Sequence, residues 1–350
     1  MTASARPSGA NREPFMRSSV LPVRAGLPPC ECSGATSSPA DADYDASPVW
    51  IGIAGIGREA NRAAIGYSRR AVFAAACSSQ LADRGPVVLP RPRTYNGAMR
   101  VISLQSGSNG NCIFVQARGV RLLFDAGISG VQAQERLGAF SVDPAGMDGL
   151  LISHDHSDHV RCAGIFHRKF QVPVYATNRT LLAARRRSRL GLIDDVRCFR
   201  SGESIDFGEV VVETIPTPHD GVDGVGFVVD DGCHRLGILT DLGHVFAGLA
   251  ELLQTLDAVL LESNYDPRML ADGPYPEFLK QRILSPQGHL SNCESAGLLN
   301  RAVGGRLKWA CLAHLSEQNN DPDVALATHR GIIADSLPLY VASRHHAIEV

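Results

Sequence analysis

The sequence has 350 residues, of which 44% are hydrophobic and 20% are charged, and its formal net charge at pH 7 is -2. This composition is typical of a soluble globular protein and excludes a polyanion-coating protein. The nine cysteines include no CxxC pair, so the sequence predicts neither a disulfide framework nor a thiolate zinc site. No apolar stretch is long enough to span a bilayer. We therefore expect a cytoplasmic protein that does not associate with a membrane.

Residues 1–98 differ in composition from the rest of the chain. They are rich in Ala, Ser, Pro, Gly and Arg, and they show no sustained period of 2 or 3.6 residues. Because such a segment buries too little apolar surface to fold, we expect a disordered leader or a mis-assigned start, with a targeting role as the alternative. Met99 opens a clear strand pattern, and we place the working domain at residues 99–350.

From Met99 onward, predicted strands and helices follow one another along the chain. The predicted strands are 101–104, 112–116, 121–125, 149–153, 172–176, 210–214, 226–229, 236–240, 258–262, 309–313 and 339–342. The predicted helices are 131–140, 160–168, 180–190, 246–255, 276–285, 292–303 and 322–333. The early strands form a meander and the later ones alternate with helices. This order predicts an α/β four-layer sandwich, in which two mixed β-sheets pack together with helices outside.

The sequence HDHSDH occupies positions 154–159, directly behind a predicted buried strand. The turn that follows the strand can aim His154, His156, Asp158 and His159 at a common point. Imidazole nitrogens and carboxylate oxygens are ligands that Zn²⁺, Mn²⁺ and Fe accept. An ordinary solvated loop rarely holds so many of them, and the lack of thiolates in this segment argues against a closed structural zinc site.

One loop cannot fill the ligand shells of two metals, so further ligands must come from elsewhere in the chain. The candidates are His219, Asp241 and His314, each of which follows a predicted strand. Taken alone, each is more simply explained as a loop histidine or a turn aspartate. These three residues are candidates because the same pattern, an apolar strand followed by a possible ligand, recurs at each of them.

The HxHxDH motif resembles the signature of the metallo-β-lactamase superfamily, and the resemblance covers essentially all of residues 99–350. Shorter motifs are similar to those of its WalJ/YycJ-type branch, which is cytoplasmic. They are SGSNGNC at 106–112, LFDAG at 123–127, LTDLG at 239–243, ESNYD at 262–266, GHLSN at 288–292 and AHLSEQNN at 313–320. The resemblance implies an αββα sandwich and a metal-dependent nuclease, with 5′-to-3′ DNA exonuclease activity ascribed to some members.

The resemblance also implies how the ligands are shared between two divalent ions, for which Zn²⁺ or Mn²⁺ is favoured and Fe is an alternative. The implied ligands are His154, His156 and His219 for one ion, Asp158, His159 and His314 for the other, and Asp241 as the bridge.

Two metals can share a bridging hydroxide and clamp a phosphoryl oxygen, and Asp158 can be both a ligand and the acceptor of the nucleophile's proton. His289 is the candidate general acid for the leaving oxygen, and a histidine that only buttresses its loop is the alternative. The S-x-x-E pattern at 291–294 is a capping box that predicts a helix from Asn292. The N-terminus of that helix would offer Ser291 and Asn292 to a phosphate.

Three further features have a functional and a plain interpretation. The Gly-rich loop at 106–111 could bind an anion through Ser108 and Asn111, or could simply be a hairpin turn. Asp125 ends a predicted strand, and we expect it to orient a metal ligand rather than only to form a turn. The arginines at 185–187 and 189 could contact a phosphate backbone or form a solvated helix surface.

The leading prediction is a dinuclear metal phosphodiesterase that acts on nucleic acid as an exonuclease, with DNA favoured. The nearest alternative is hydrolysis of a small phosphodiester, a lactone or a thioester, because all of these reactions can use a metal hydroxide. The alternative of another class is a non-hydrolytic metal-binding module or a di-iron redox centre. The sequence leaves the oligomeric state open.

Overall fold

The computed structural model describes residues 99–350. The predictions for residues 1–98 lie outside the described residues. Within the described range, the chain forms the strands β1 Arg100–Gln105, β2 Cys112–Ala117, β3 Val120–Phe124, β4 Gly149–Leu151, β5 Val174–Thr177, β6 Val196–Phe199, β7 Ser204–Asp206, β8 Val211–Pro216, β9 Val225–Asp230, β10 Arg235–Leu239, β11 Ala258–Glu262, β12 Trp309–Ala313, β13 Leu339–Val341 and β14 Ile348–Glu349.

The helices connect these strands. They are α1 Gly130–Ala139, α2 Ser157–Val160, α3 Ala163–Phe170, α4 Asn178–Arg187, α5 Leu249–Thr255, α6 Pro267–Asp272, α7 Glu277–Leu284, α8 Asn292–Ala302 and α9 Pro322–Ile333. The strands form two seven-stranded mixed sheets. The order is β14-β1-β2-β3-β4-β5-β6 in the first sheet and β13-β12-β11-β10-β9-β8-β7 in the second.

The first sheet buries both of its faces, because successive side chains of a strand point to opposite sides. On β3, Leu123 packs with Phe166 of α3 in the layer between the sheet and its helices. Its neighbours Leu122 and Phe124 point into the layer between the two sheets. There Phe124 meets Phe227 of the second sheet, with the ring centroids 5.1 Å apart.

The second sheet is covered in the same way. On β11, Leu260 faces the layer between the sheets. Val259 and Leu261 point outward and pack against Leu253 of α5 and Leu298 of α8. The layers therefore run helix, sheet, sheet, helix, which confirms the predicted four-layer α/β sandwich.

The elements that the sequence did not predict are short or lie at sheet edges. β6 and β7 each form one edge of a sheet, and their mostly exposed or half-exposed residues give no apolar run. α6 has six residues and begins at a proline after the capping residue Asp266. The predicted helix 160–168 is divided into α2 and α3. α4 ends at Arg187, where Ser188 becomes extended, so Arg189 lies outside the helix and does not share a helix face with Arg185, as the predicted helix 180–190 would have allowed.

Three polar residues stand at the carboxyl ends of strands in an unusual backbone conformation. Asp125 follows β3, Asp241 lies two residues beyond β10 and His314 follows β12. Their φ angles are 62°, 57° and 57°, in the left-handed region that residues other than glycine seldom adopt. Such conformations persist where the surrounding structure enforces them, and they concentrate at functional sites. Each turn ends its strand abruptly and leaves a polar side chain at the same edge of the sandwich.

A set of backbone hydrogen bonds clamps the HDHSDH segment to the loops beside it. The amide of Asn111 donates to the carbonyl of Asp158 at 2.7 Å, and the amide of Ala126 donates to the carbonyl of His159 at 2.6 Å. Gly127 lies against this clamp, since a Cβ atom on it would stand 1.7 Å from the carbonyl oxygen of Asp158. The close approach therefore requires glycine at position 127.

We predict that Gly127→Ala destabilises the fold and displaces Asp158. A clash of this kind costs about 1–3 kcal/mol of unfolding free energy, which chemical denaturation of the full-length chain can measure. Gly138→Ala is the matched control, because a Cβ there meets no atom within 4 Å and alanine favours a helix. Equal stability of the two variants would contradict the role of Gly127.

Candidate metal centre

Three histidines bring one imidazole nitrogen each to within 4.8 Å of one another: His154, His156 and His219. Their partners show which nitrogens are free. Nδ1 of His219 lies 2.8 Å from the carbonyl oxygen of Gly288, which can only accept a hydrogen bond, so Nε2 of His219 carries a lone pair. Nε2 of His156 lies 3.2 Å from Oδ1 of Asp220, so Nδ1 of His156 is free in the same way.

The free nitrogens of this group converge on one another. Nδ1 of His156 and Nε2 of His219 are 3.2 Å apart, and two facing lone pairs repel unless a cation lies between them. Two nitrogens that bind one tetrahedral zinc at about 2.0–2.1 Å are separated by about 3.3 Å. Nε2 of His154 is buried and has no hydrogen-bond partner within residues 99–350. The three nitrogens therefore fit a divalent metal ion.

A second group consists of Asp158, His159 and His314, whose ligand atoms also lie within 4.8 Å of one another. Oδ2 of Asp158 is 3.5 Å from Nε2 of His159 and 3.4 Å from Nε2 of His314. Both histidines are buried, whereas Asp158 lines a surface pocket. One carboxylate and two imidazoles are again a suitable ligand set for a divalent ion.

Asp241 contacts both groups. Its Oδ1 lies 3.7 Å from Nε2 of His219 and 3.6 Å from Nε2 of His314, and its Oδ2 lies 3.3 Å from Nε2 of His159. Although Oδ2 is buried, it forms no hydrogen bond with the described residues. A carboxylate in this position can hold two ions at once. The seven ligands predicted from the HDHSDH segment and three other loops thus meet in one place.

Asp125 lies behind the second group and accepts three hydrogen bonds. Nδ1 of His159 donates to Oδ2 of Asp125 at 2.7 Å. The amide and the hydroxyl of Ser153 donate to the same carboxylate at 2.8 and 2.9 Å. Because the hydroxyl hydrogen is used in this way, Nδ1 of His154 donates to Ser153 Oγ at 3.0 Å. Asp125 therefore fixes the orientation of ligands in both groups, as such outer carboxylates do at metal sites.

His289 lies at the edge of the cluster and lines the pocket. Its Nδ1 is 2.7 Å from Oε1 of the fully buried Glu262 and 3.7 Å from Oδ1 of Asp241. Oε2 of Glu262 accepts from the amide of Leu242 at 2.9 Å, so the carboxylate itself is held in place. With Nδ1 bound to Glu262, Nε2 of His289 is the nitrogen available to a ligand in the pocket.

Two carboxylates that contact the cluster were not assigned a role from the sequence. Glu262 ends β11 at the same edge of the sheet as the other strand-end residues. Its position after an apolar strand was visible in the sequence, but it did not indicate that His289 would be the partner of Glu262. Asp220 directly follows the predicted ligand His219, and its contact with His156 depends on how two distant loops meet. The atoms of Asp241, Glu262, His289 and His314 also lie within 4.8 Å of one another, so this cluster offers a further set of metal-binding atoms.

Burial and the close packing of carboxylates and imidazoles raise the pKa values of some groups in the cluster and lower those of others. Burial alone would lower the pKa of His314, but Asp241 and Asp158 raise it to about 10. Asp241 likewise holds the pKa of His159 well above its usual value against the effect of burial. Burial lowers the pKa of His156 to about 4, with a further contribution from the neighbouring His219. Burial also opposes ionisation of Glu262, yet His289 lowers the pKa of that carboxyl to about 2.

Three of the four predicted phosphate contacts make hydrogen bonds within the protein. The predicted capping box and helix start at Asn292 are present, but Glu294 Oε2 accepts from the amide and hydroxyl of Ser291 at 2.9 and 2.7 Å. The helix N-terminus is thus occupied by its own carboxylate. The side chain of Asn292 is buried and bonded to Asn320. The side chain of Asn111 is also buried; it bonds to Gly107 in its own loop, and its Nδ2 lies 3.0 Å from Nε2 of His159. Ser108 does line the pocket.

The pocket above the cluster has a volume of about 460 Å³. Its floor is formed by the candidate metal ligands, and its walls come mainly from α2, α7 and the loop before α8. Arg187, the last residue of α4, is the member of the predicted arginine cluster that lines this pocket. Arg282 of α7 lines it as well, and no sequence pattern had indicated this residue. Tyr275 and Leu279 give one wall an apolar surface.

The protein family described as Beta-lactamase superfamily domain matches residues 120–311, which is more than half of the chain. Over 229 residues the chain is 37% identical to Exodeoxyribonuclease WalJ of Streptococcus pneumoniae serotype 2, covering 64% of this chain and 84% of that protein. It is 32% identical over 222 residues to Exodeoxyribonuclease YycJ of Bacillus anthracis, covering 63% of this chain and 84% of that one.

Among solved structures, the metallo-β-lactamase fold protein YhfI from Bacillus subtilis superposes with a TM-score of 0.56 at 16% identity, covering 72% of this chain and 100% of that chain. That likeness concerns the fold alone. The family match and the two relatives show that the chain belongs to the β-lactamase superfamily. It is a metal-dependent hydrolase of that class, with a cluster of His and Asp side chains able to bind divalent metal. Within residues 99–350, no helix is long and apolar enough to cross a membrane.

We predict that Asp125→Asn weakens metal binding by about 10- to 100-fold, because the substitution disturbs the hydrogen bonds that orient His159 and His154. Competition with a fluorescent chelator measures the affinity. The control is Asp195→Asn, which changes an exposed carboxylate paired with Arg197 at 3.2 Å. Metal affinities that are equal in the two variants and the wild type would contradict the assigned role of Asp125.

Proposed function

We propose that the protein is a dinuclear metal-dependent phosphodiesterase that degrades nucleic acid as an exonuclease, with DNA as the favoured substrate. The observation that carries the proposal is the placement of two ligand groups, joined by Asp241, on the floor of a pocket whose rim bears Arg187 and Arg282. Guanidinium groups suit the recognition of phosphate. The names of the WalJ and YycJ relatives, both exodeoxyribonucleases, support the same substrate class.

The ligand groups indicate how two ions would be held. One ion would be bound by His154, His156 and His219, the other by Asp158, His159 and His314, and Asp241 would be shared. The donor set of imidazoles and carboxylates favours Zn²⁺ or Mn²⁺, with Fe as an alternative. If bound, such a pair of ions would supply a hydroxide nucleophile near neutral pH and would neutralise charge on a phosphoryl group.

The residues of the chain supply orientation and proton transfer. Asp158, which faces the pocket, accepts the proton of the attacking water. His289 donates a proton from Nε2 to the leaving oxygen, and Glu262 holds the ring through Nδ1 at 2.7 Å. A positioned acid of this kind contributes about 10²- to 10⁴-fold to a rate. Asp125 and Asp220 keep His159 and His156 in the tautomers that point their free nitrogens inward.

We further propose that residues 99–350 form the catalytic domain and that the protein acts in the cytoplasm. The family match at 120–311 falls inside this range. The buried Cys112 and Cys311, both free thiols, are compatible with a reducing compartment.

The substrate class can be tested with the full-length chain loaded with Mn²⁺ or Zn²⁺. We expect release of mononucleotides or short oligonucleotides from an end-labelled DNA duplex, and little turnover of a thioester, a lactone or bis-p-nitrophenyl phosphate at equal concentration. Chelation should abolish the DNA activity and metal add-back should restore it. Faster turnover of one of the small substrates, with no attack on DNA or RNA, would contradict the proposal.

We predict that His289→Ala retains the metal content of the wild type but loses about 10²- to 10⁴-fold in kcat, because the proton donor is removed while the seven proposed metal ligands remain. Metal analysis and DNA hydrolysis are measured on the same preparation. His234→Ala is the matched control, since His234 also contacts a carboxylate, Asp231 at 3.5 Å, away from the cluster. Loss of metal, or activity equal to that of the control, would show that His289 is not the acid.

A further inference from the structure

The two rim arginines are held in place by carboxylates that also touch the metal-ligand loops. Nη1 of Arg187 lies 2.7 Å from Oδ2 of the buried Asp155. Nε and Nη2 of Arg282 donate to Asp220 at 2.6 and 3.0 Å. The side chains of the two arginines nevertheless remain 51% and 52% exposed. Each guanidinium therefore keeps N–H groups that can bind a phosphate while its position is fixed.

An exposed aromatic ring stands beside Arg282. Phe278 lies four residues earlier on α7, so the two side chains are neighbours on the helix surface. Phe278 is 74% exposed, although phenylalanine is among the residues most often buried. Leu279 directly follows Phe278 on this helix and Ile283 directly follows Arg282, and both line the pocket. Phe278 does not line the pocket itself, but on the helix surface it neighbours Arg282, which does.

The size of the pocket restricts how nucleic acid can enter it. Its volume of about 460 Å³ lies within the range of roughly 300–1,000 Å³ that is usual for small-molecule sites. A DNA duplex, whose major groove alone is about 12 Å wide, cannot fit into such a space. A pocket of this size is better matched to a single strand end than to paired strands.

We propose that α7 forms a platform for the unpaired end of the DNA strand, where a base stacks on Phe278 and the adjoining phosphates contact Arg282 and, across the pocket, Arg187. Aromatic rings beside cationic groups are the features by which proteins bind single strands without reading sequence. This inference rests on the proposed nuclease function and specifies the form of its substrate. The positive charge of the two arginines complements the phosphates of a DNA strand. A second copy of this chain would bring no phosphates to this surface.

The test measures DNA binding by the full-length protein in a chelator, so that no hydrolysis occurs. The probes are two fluorescein-labelled duplexes of equal length, one with paired blunt ends and one whose terminal nucleotides are mismatched and therefore frayed. We expect the wild type to bind the frayed duplex more tightly. Phe278→Ala should weaken binding of the frayed duplex by about 5- to 100-fold and remove its advantage, whereas Phe278→Trp should retain it.

Arg282→Ala should lower the slope of log affinity against log salt by about 1, and Arg282→Lys should keep it. Two substitutions away from the pocket serve as controls. Leu192→Ala removes a side chain that is 72% exposed. Arg306→Ala removes an arginine that is 54% exposed and paired with Asp257 at 2.8 Å, as Arg282 is paired with Asp220. Both controls should bind the two duplexes as the wild type does.

The inference is overturned if Phe278→Ala binds the frayed duplex like the Leu192→Ala control, or if it loses affinity equally for both duplexes. It is also overturned if Phe278→Ala alters only the sedimentation of the protein, because Phe278 would then be a contact between copies of the chain. Failure of the proposed function gives a different result. In that case the metal-loaded wild type hydrolyses no DNA, frayed or blunt.

Discussion

The carboxylate of Asp241 is the contact on which the arrangement of the site depends. It lies within 3.3–3.7 Å of imidazole nitrogens from both ligand groups, in the interior of the molecule. A buried charge is tolerated only where it is paired or binds a metal. Three histidines from separate loops therefore converge on this one side chain. The left-handed backbone at Asp241 and at His314, each beyond the end of a strand, directs both side chains across the edge of the sandwich.

A layer of carboxylates behind the imidazoles gives the site its order. Asp125 fixes His159, Asp220 fixes His156 and Glu262 fixes His289, each through the ring nitrogen that faces away from the centre or the pocket. Because a histidine has only two ring nitrogens, each such bond leaves one nitrogen for a metal or a substrate. The same layer reaches the rim of the pocket, where Asp155 and Asp220 hold the two arginines. The carboxylates thus connect the candidate metal site to the surface where a polyanion would enter.

The sequence predicted the layers of the fold and the convergence of the seven ligands, but it did not predict their partners. The HDHSDH segment was informative because its ligands are local, and His219, Asp241 and His314 were recognised because each follows an apolar strand. Asp220, in a loop, and Arg282, on α7, are 62 residues apart in the sequence and meet only through the three-dimensional fold. At Ser291, the pattern that predicts a capping box also means that Glu294 occupies the helix N-terminus. The edge strands β6 and β7 lack the apolar run of a buried strand.

The most direct test of this account is the number of metal ions that the chain holds, counted by native mass spectrometry of the full-length wild type and of Asp241→Ala. Asp241 is the only ligand assigned to both ions. The account predicts two divalent ions per wild-type chain and fewer than two in the variant under the same conditions. A wild-type chain that binds one ion or none after metal loading would contradict it. Retention of both ions at unchanged affinity by Asp241→Ala would contradict it equally.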